Sequence, residues 1–277
     1  MGTVTVENLS LHFNARGASP VIALNNLSMS IPDKQFAVIV GPSGCGKSSL
    51  LDIIAGLREP TGGKCKLDGQ TIHGPAKERG MVFQNYSLFP WLTVIKNVAF
   101  GLSLQGKPAK EATERARHYV NAVGLSNFET AYPNQLSGGM KQRVAIARSL
   151  ANDPEVILMD EPFGALDSQT RVVMQQLLLG IWEKEHKTIL FVTHDIDEAV
   201  YLSQRVVMLR PRPGRIDEIV DVDLPEPRWE HDPRQTPRFA DLRNHLWDRI
   251  HSMARDGEAL EELASAFPME VIEKPRR

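Results

Sequence analysis

The chain has 277 residues, of which 42% are hydrophobic, enough to bury one large core or two modest ones, and that balance does not mark it as disordered. Its 32 basic residues meet 34 acidic ones for a formal charge of -2, so it lacks the excess positive field that nucleic-acid binders carry, and nucleic acid is not expected as a partner. Two cysteines, Cys45 and Cys65, are too few for a disulfide framework and point to a reducing compartment.

The start, Met1-Gly-Thr-Val-Thr-Val, has no basic segment leading into an apolar one, and no apolar run reaches the roughly 18 to 20 residues of a bilayer span. Any membrane part of the process served is therefore expected in another chain. In chain order, Val4, Val6, Leu9, Leu11 and Phe13 sit in a mostly alternating pattern that predicts a half-exposed strand, and Asn14 to Pro20 reads as a loop. Phe36 to Val40 predicts a buried strand. It runs into Gly41-Pro42-Ser43-Gly44-Cys45-Gly46-Lys47-Ser48, after which Ser48 to Ala55 has helical spacing up to a stop at Gly56.

Strand, glycine-rich turn and helix in that order suit phosphate. Gly41, Gly44 and Gly46 let successive N–H groups point inward, and the helix adds its positive N-terminus. Lys47 brings a point charge for the β and γ phosphates, and the Ser48 hydroxyl is a Mg²⁺ ligand candidate. Gly41, Pro42, Ser43, Gly44, Cys45, Gly46, Lys47, Ser48 and Ser49 form the candidate ATP-binding set.

From about residue 92 to 150 the composition turns helical, with one helix over Ala109 to Val123 and a second after Gly138, whose natural N-cap is Ser137. Strand signals return at Val156 to Met159, Thr188 to Val192 and Val206 to Leu209, so a helical insertion interrupts an α/β core. Asp160 ends the first of these strands and is followed by Glu161, a pair able to serve a metal and a water. His194 follows the second and precedes Asp195-Ile-Asp-Glu, a helix start rich in acids. Beyond 220, Pro225, Pro227, Pro233 and Pro237 mark a linker, and Phe239, Leu242, Leu246, Ile250 and Met253 then recur at helical spacing. Two readings fit this stripe: packing on the core, or a regulatory or partner-binding role.

The phosphate loop, Gln84, Leu136-Ser137-Gly138-Gly139-Met140, Val156-Ile-Leu-Met-Asp160-Glu161-Pro162 and His194 stand in one order that resembles the ATP-binding subunit of ABC transporters, over roughly residues 3 to 220. The resemblance implies an α/β, P-loop NTPase core of ABC type in residues 1–220, with an antiparallel β subdomain and a helical subdomain inserted at about 92–152, followed by a small helical extension at 221–277. It also implies ATP hydrolysis with Mg²⁺ held by Ser48, Gln84 and Asp160, and a catalytic set of Glu161, His194, Gln84 and Lys47. Glu161 is the residue expected to orient the attacking water, and His194 the one expected at the γ-phosphate. Ser137, Gly138 and Gly139 are expected to contact the nucleotide of an opposite protomer in a homodimer, and Asp167, in Gly164-Ala165-Leu166-Asp167, matches the D-loop.

Two positions depart from the family pattern: Met140 stands where Gln is usual, and Phe13 where a Tyr commonly stacks on adenine. A buried strand phenylalanine accounts for Phe13 as well. Pro90-Trp91, Ser-Gly-Gly-Met-Lys-Gln-Arg and Arg212-Pro213-Gly214-Arg215-Ile216 resemble the subfamily importing nitrate, taurine, sulfonates and related solutes. That resemblance implies two integral-membrane permease subunits as partners, an external solute-binding protein acting indirectly, and a peripheral place on the cytoplasmic face of the inner membrane. Trp91 fits either an exposed coupling surface or a small satellite core. A soluble ABC ATPase in assembly or remodelling, or a transporter subunit for unrelated cargo, is the competing reading. A non-hydrolysing regulatory member conflicts with the intact Lys47, Asp160, Glu161 and His194.

Overall fold

Two sheets organise the chain in the computed structural model, which describes residues 2–13, 21–211 and 213–256. The smaller is antiparallel: β1 (Val4–Phe13) lies between β2 (Val21–Ile31) and β4 (Gly62–Leu67), with the two-residue β5 (Gln70–Thr71) beside β4. Burial along β1 alternates as its pattern predicts. The strand β2 is not anticipated by the sequence pattern, and the loop expected at residues 14–20 lies outside the described residues.

The larger sheet has the order β10-β9-β3-β8-β7-β6. Its strands are β3 (Phe36–Val40), β6 (Arg79–Val82), β7 (Val156–Asp160), β8 (Thr188–Val192), β9 (Arg205–Arg210) and β10 (Arg215–Asp221). All pair in parallel except β10, which runs antiparallel along β9 at the edge.

The central strands read as unbroken apolar runs because both faces are covered. Phe36, Val38 and Val40 of β3 face one core with Ile157, Met159, Ile189 and Phe191, whereas Ala37 and Ile39 face the other with Val156, Leu158, Leu190 and Val192. The second core is closed by α1 (Lys47–Ala55), through Leu50, Leu51, Ile53 and Ile54, and by the small sheet. The first is closed by helices. They are α2 (Val94–Leu104), α3 (Ala109–Ala122), α4 (Gly138–Ala151), α5 (Ser168–Glu185), α6 (Ile196–Leu202) and α7 (Pro237–Asp256). Residues 94–151 contain no strand, only α2, α3, α4 and the short 3₁₀ turns Ser126–Phe128 and Pro133–Gln135.

After β10 the chain is fastened to the core at Arg228, whose side chain is buried. Its guanidinium donates to the carbonyls of Val200, Tyr201, Ser203 and Val222. The first of these are carbonyls at the C-terminal end of α6, which otherwise lack helical partners. The stripe on α7 packs on the core: Phe239, Leu242, Leu246 and Met253 are buried in the helix-covered core and Ile250 packs partly against it. The remainder of the expected extension, residues 257–277, lies outside the described residues.

Candidate active site

Parallel strands end on the same side of a sheet, and each of four neighbouring strands here delivers one functional group there. The phosphate loop follows β3, Thr193 and His194 follow β8, Asp160 and Glu161 close β7, and Gln84 follows β6. The spatial order β3-β8-β7-β6 therefore places residues far apart in sequence along one edge.

The phosphate loop is held tightly from behind. A Cβ on Gly41 would meet the Leu209 carbonyl at 2.3 Å, and one on Gly46, whose φ is +94°, would meet Leu24 at 2.6 Å, so neither position accepts a side chain. Ser43 and Gly44 are exposed, Pro42 and Ser49 half-buried, and Cys45 points into the core. Gly46 caps α1 with no side-chain acceptor, so the first N–H groups of the helix are left for an anion. Lys47 is buried, and its Nζ donates to the carbonyls of Gly41 at 2.7 Å and Pro42 at 3.1 Å. The loop thus stores its cation in the place where phosphate oxygens would replace carbonyls.

The Ser48 hydroxyl donates to Asp160 Oδ1 at 3.0 Å. Burial raises Asp160 above the usual carboxylate range, with repulsion from Glu161 and Asp52 adding to it, while the Ser48 hydroxyl and Lys47 oppose the shift. A desolvated carboxylate beside a hydroxyl is an all-oxygen donor set that fits Mg²⁺, which takes few protein ligands and completes its shell with phosphate and water. No cluster of three or more His, Cys, Asp or Glu residues fit for a metal occurs among the described residues.

Glu161 adopts φ +41°, a left-handed conformation that costs a non-glycine residue about 1 kcal/mol or more. Its N–H donates to the Val192 carbonyl and its own carbonyl accepts from Gly164, which fixes the turn. The carboxylate stands 3.2 Å from His194 Nδ1, and His194 is largely exposed. A Cβ added to Gly164 would lie 3.8 Å from both Glu161 Oε2 and Gln84 Nε2, so the glycine keeps open the space between these groups.

The signature element opens α4. Ser137 is the N-cap of α4, as its sequence predicts, its hydroxyl accepting from Met140 N at 3.3 Å. Gly138 lies against Tyr86 and Leu166, and Gly139 against Thr170. Asp167 is the N-cap of α5. It accepts from Thr170 N at 2.9 Å, and these bonds hold its carboxyl below the usual range. Phe13 ends β1 and is 38% exposed, so it is not a core residue; the Arg58 guanidinium lies 5.0 Å from its ring centroid. Trp91 is 70% exposed and touches Phe89, which rules out the satellite-core reading.

Some residues that shape the site have no sequence signal of their own. Arg148 on α4 donates to the carbonyls of Ser87 at 2.6 Å and Tyr86 at 3.0 Å, two residues with positive φ just beyond Gln84. It thereby ties the Gln84 loop to the helix that begins at Ser137. Asn97 is fully buried and bonds the backbone of Phe89, Leu92 and Thr93, pinning the turn that presents Trp91. Arg171 on α5 joins Asp195 Oδ2 at 3.1 Å to the Leu166 carbonyl at 3.3 Å. An arginine inside a helix looks like any solvated one until the loop it reaches is known.

A phosphate loop, an acidic pair, a glutamine and a histidine on one edge of a mainly parallel sheet, with a helical segment carrying a capped signature turn, define a P-loop ATPase of the cassette type. The ABC transporter family model matches residues 24–164, and the chain belongs to that family. It is 56% identical over 205 residues to the nitrate import ATP-binding protein NrtD of Synechocystis, covering 74% of this chain and 77% of the relative. It is 43% identical over 265 residues to the taurine import ATP-binding protein TauB of Jannaschia, covering 92% and 97%. Among solved structures it resembles a dimeric ATP-binding cassette in a post-hydrolysis state with ADP and phosphate, at TM-score 0.71 and 35% identity over 79% of this chain and 98% of the other. The protein is an ABC ATPase that binds ATP, and no helix among the described residues is long and apolar enough to cross a membrane.

Proposed function

We propose that this ATPase energises import of a small anionic solute, of the nitrate, taurine or sulfonate kind, through separate permease subunits, working as a homodimer on the cytoplasmic face of the membrane. In this reading residues 1–220 form the ATP-binding domain, with the helical insertion near 92–152 facing the permease, and 221–277 form an extension. The observation that carries the hydrolytic part is the convergence of Ser48 with Asp160, and of Glu161 with His194, on one sheet edge. The names of the relatives and the exposed Trp91 support the transport part.

ATP lies with its phosphates on the loop from Gly41 to Ser49 and its base by Phe13. Lys47 moves from the Gly41 and Pro42 carbonyls to the phosphate oxygens. Ser48, Asp160 and Gln84 would hold Mg²⁺, which would supply charge neutralisation at the phosphates. Glu161 orients a water at the γ-phosphorus and takes its proton as the new P–O bond forms. The bond from the γ-phosphorus to the bridging oxygen breaks, leaving ADP and inorganic phosphate. His194 holds the γ-phosphate and, through its bond to Glu161, the direction of the carboxylate. Ser137, Gly138 and Gly139 of the opposite protomer close over the same phosphate, and Asp167 lies at the joint.

Uptake of labelled nitrate, nitrite, cyanate, bicarbonate, taurine and alkanesulfonates in the source organism carrying Glu161→Gln is the test. Loss for one solute identifies the cargo. Unchanged uptake of all, with the variant protein present and no redundant carrier operating, would move the assignment to another cargo or to a soluble ATPase.

A further inference from the structure

The proline-rich segment beyond β10 returns to the core at the short turn Pro233–Gln235, and Arg234 is the residue it inserts there. The guanidinium lies 3.9 Å from the centroid of the buried Tyr201 ring, a cation–π distance, and 3.4 Å from the Asp232 carboxylate. Its Nη2 donates to Gln175 Oε1 at 2.6 Å. Gln175, buried on α5, donates in turn from Nε2 to Glu198 Oε1 at 3.0 Å. Glu198 is a carboxylate only 4% exposed on α6, one turn beyond Thr193, the residue immediately before His194. Thr193 Oγ1 accepts from Asp195 N, and Asp195 Oδ1 accepts from Glu198 N, both at 3.0 Å.

The direction of this chain is fixed by chemistry. Arginine only donates and an ionised glutamate only accepts, so an amide between them has one orientation, oxygen to Arg234 and nitrogen to Glu198. Without Arg234 the Gln175 oxygen keeps only water as a donor, and the amide, which water can meet at either end, loses the reason to keep its nitrogen on Glu198. Glu198 is then one donor short, and its own N–H bonds Asp195, which in turn bonds Thr193. The residues flanking His194 on both sides are members of this chain.

We propose that Arg234 is a positioning residue for ATP hydrolysis: from the C-terminal extension it fixes Gln175, Glu198 and Thr193, and so holds His194 at its 3.2 Å contact with Glu161. The proposal rests on the reading of His194 and Glu161 as the hydrolytic pair. A cavity of about 380 Å³ lined by Arg171, Gln175, Asp195, Glu198, Arg234 and Phe239 adjoins the relay, so shortening Arg234 admits water there rather than collapsing a packed core.

The test is steady-state ATPase kinetics on the full-length chain. Arg234→Ala should lower kcat about fivefold to tenfold, with KM for ATP within about twofold of wild type. Arg234→Lys, which keeps a donor and a cation, should recover most of kcat. Combining Arg234→Ala with Gln175→Met should add nothing to the loss from either alone, as expected for members of one chain. Should Arg234→Ala fail to fold, Gln175→Met carries the same expectation. Arg249→Ala loosens the extension at the distant Asp217 of β10 and should leave kcat unchanged. An unchanged kcat in Arg234→Ala, or an equal loss in Arg249→Ala, overturns the proposal while His194→Ala remains inactive. Full activity in His194→Ala overturns instead the reading on which it rests.

Discussion

The phosphate loop and the signature turn are both glycine-rich approaches to a helix N-terminus, yet the protein finishes them differently. At α1 the cap is Gly46, no side chain answers the first N–H groups, and Lys47 waits on its own loop carbonyls. At α4 the cap is Ser137, whose hydroxyl already accepts from Met140 N. The first end is left open for phosphate, and a strong ligand interaction is concentrated there. The second is a finished cap with a hydroxyl proton to spare, suited to adding one bond to something already bound elsewhere. Arg148, in the last turn of α4, ties that helix to the Gln84 loop.

The sharpest way to separate binding from closure is to remove one function at a time. Glu161→Gln, outside both helix ends, should cut kcat about 10²-fold or more while ATP still binds, read by steady-state hydrolysis beside nucleotide binding. If ATP binding is lost as well, the carboxylate is part of the phosphate site and the division fails. Lys47→Ala should show the reverse pattern, weakening ATP binding by roughly tenfold or more as the point charge is lost.

Ser137→Ala sharpens the comparison at the other end. ATP affinity of the isolated protomer should hold, hydrolysis should fall about tenfold, and loss of the helix cap should cost about 1 kcal/mol in a denaturant melt. Equal weakening of ATP binding would place the signature turn in the site of its own chain. Met140→Gln, which restores the usual family residue next to that cap, should change kcat by less than about twofold.

The smallest expected effect concerns pH and Glu198. Burial holds this carboxyl above its usual range, although hydrogen bonds from Thr193 and Gln175 pull the other way. Its folded pKa exceeds its unfolded one, so ionised Glu198 costs stability above the folded value, and the cost fades as pH falls toward the unfolded value. Glu198→Gln should therefore gain in Tm on wild type, by roughly a few degrees, as pH rises above the usual carboxylate range. A difference independent of pH would mean that Glu198 does not change its charge there.

Much of the hydrolytic edge is legible in sequence because each of its pieces follows an apolar run short enough to be a buried strand. Phe36 to Val40, Val156 to Met159 and Thr188 to Val192 announce where Gly41, Asp160 and His194 must emerge. The strand β2 escapes the same reading because Asn25, Asn26, Ser28 and Ser30 interrupt it, and its pairing with β1 shifts register repeatedly. Phe13 could not be placed from its strand pattern, since an alternating strand fixes the face of a residue but not whether its end is covered. Arg148, Arg171 and Arg234 were illegible for another reason: each reaches a partner at least 24 residues away that the fold brings near, and no local pattern records such contacts.

The sequence by itself marked the candidate chemistry: a loop shaped for phosphate, a serine and an acid as metal candidates, a second acid and a histidine, and a helix end capped by Ser137. These follow from local rules of backbone and charge that act within a few residues. Only the tertiary structure decided which groups meet. The strand order β3-β8-β7-β6 brings His194 to Glu161 across 33 residues of chain, and the returning extension carries Arg234 to Gln175 across 59. The strand order and the path of the returning segment are products of burying both faces of one sheet, and sequence distance does not encode them.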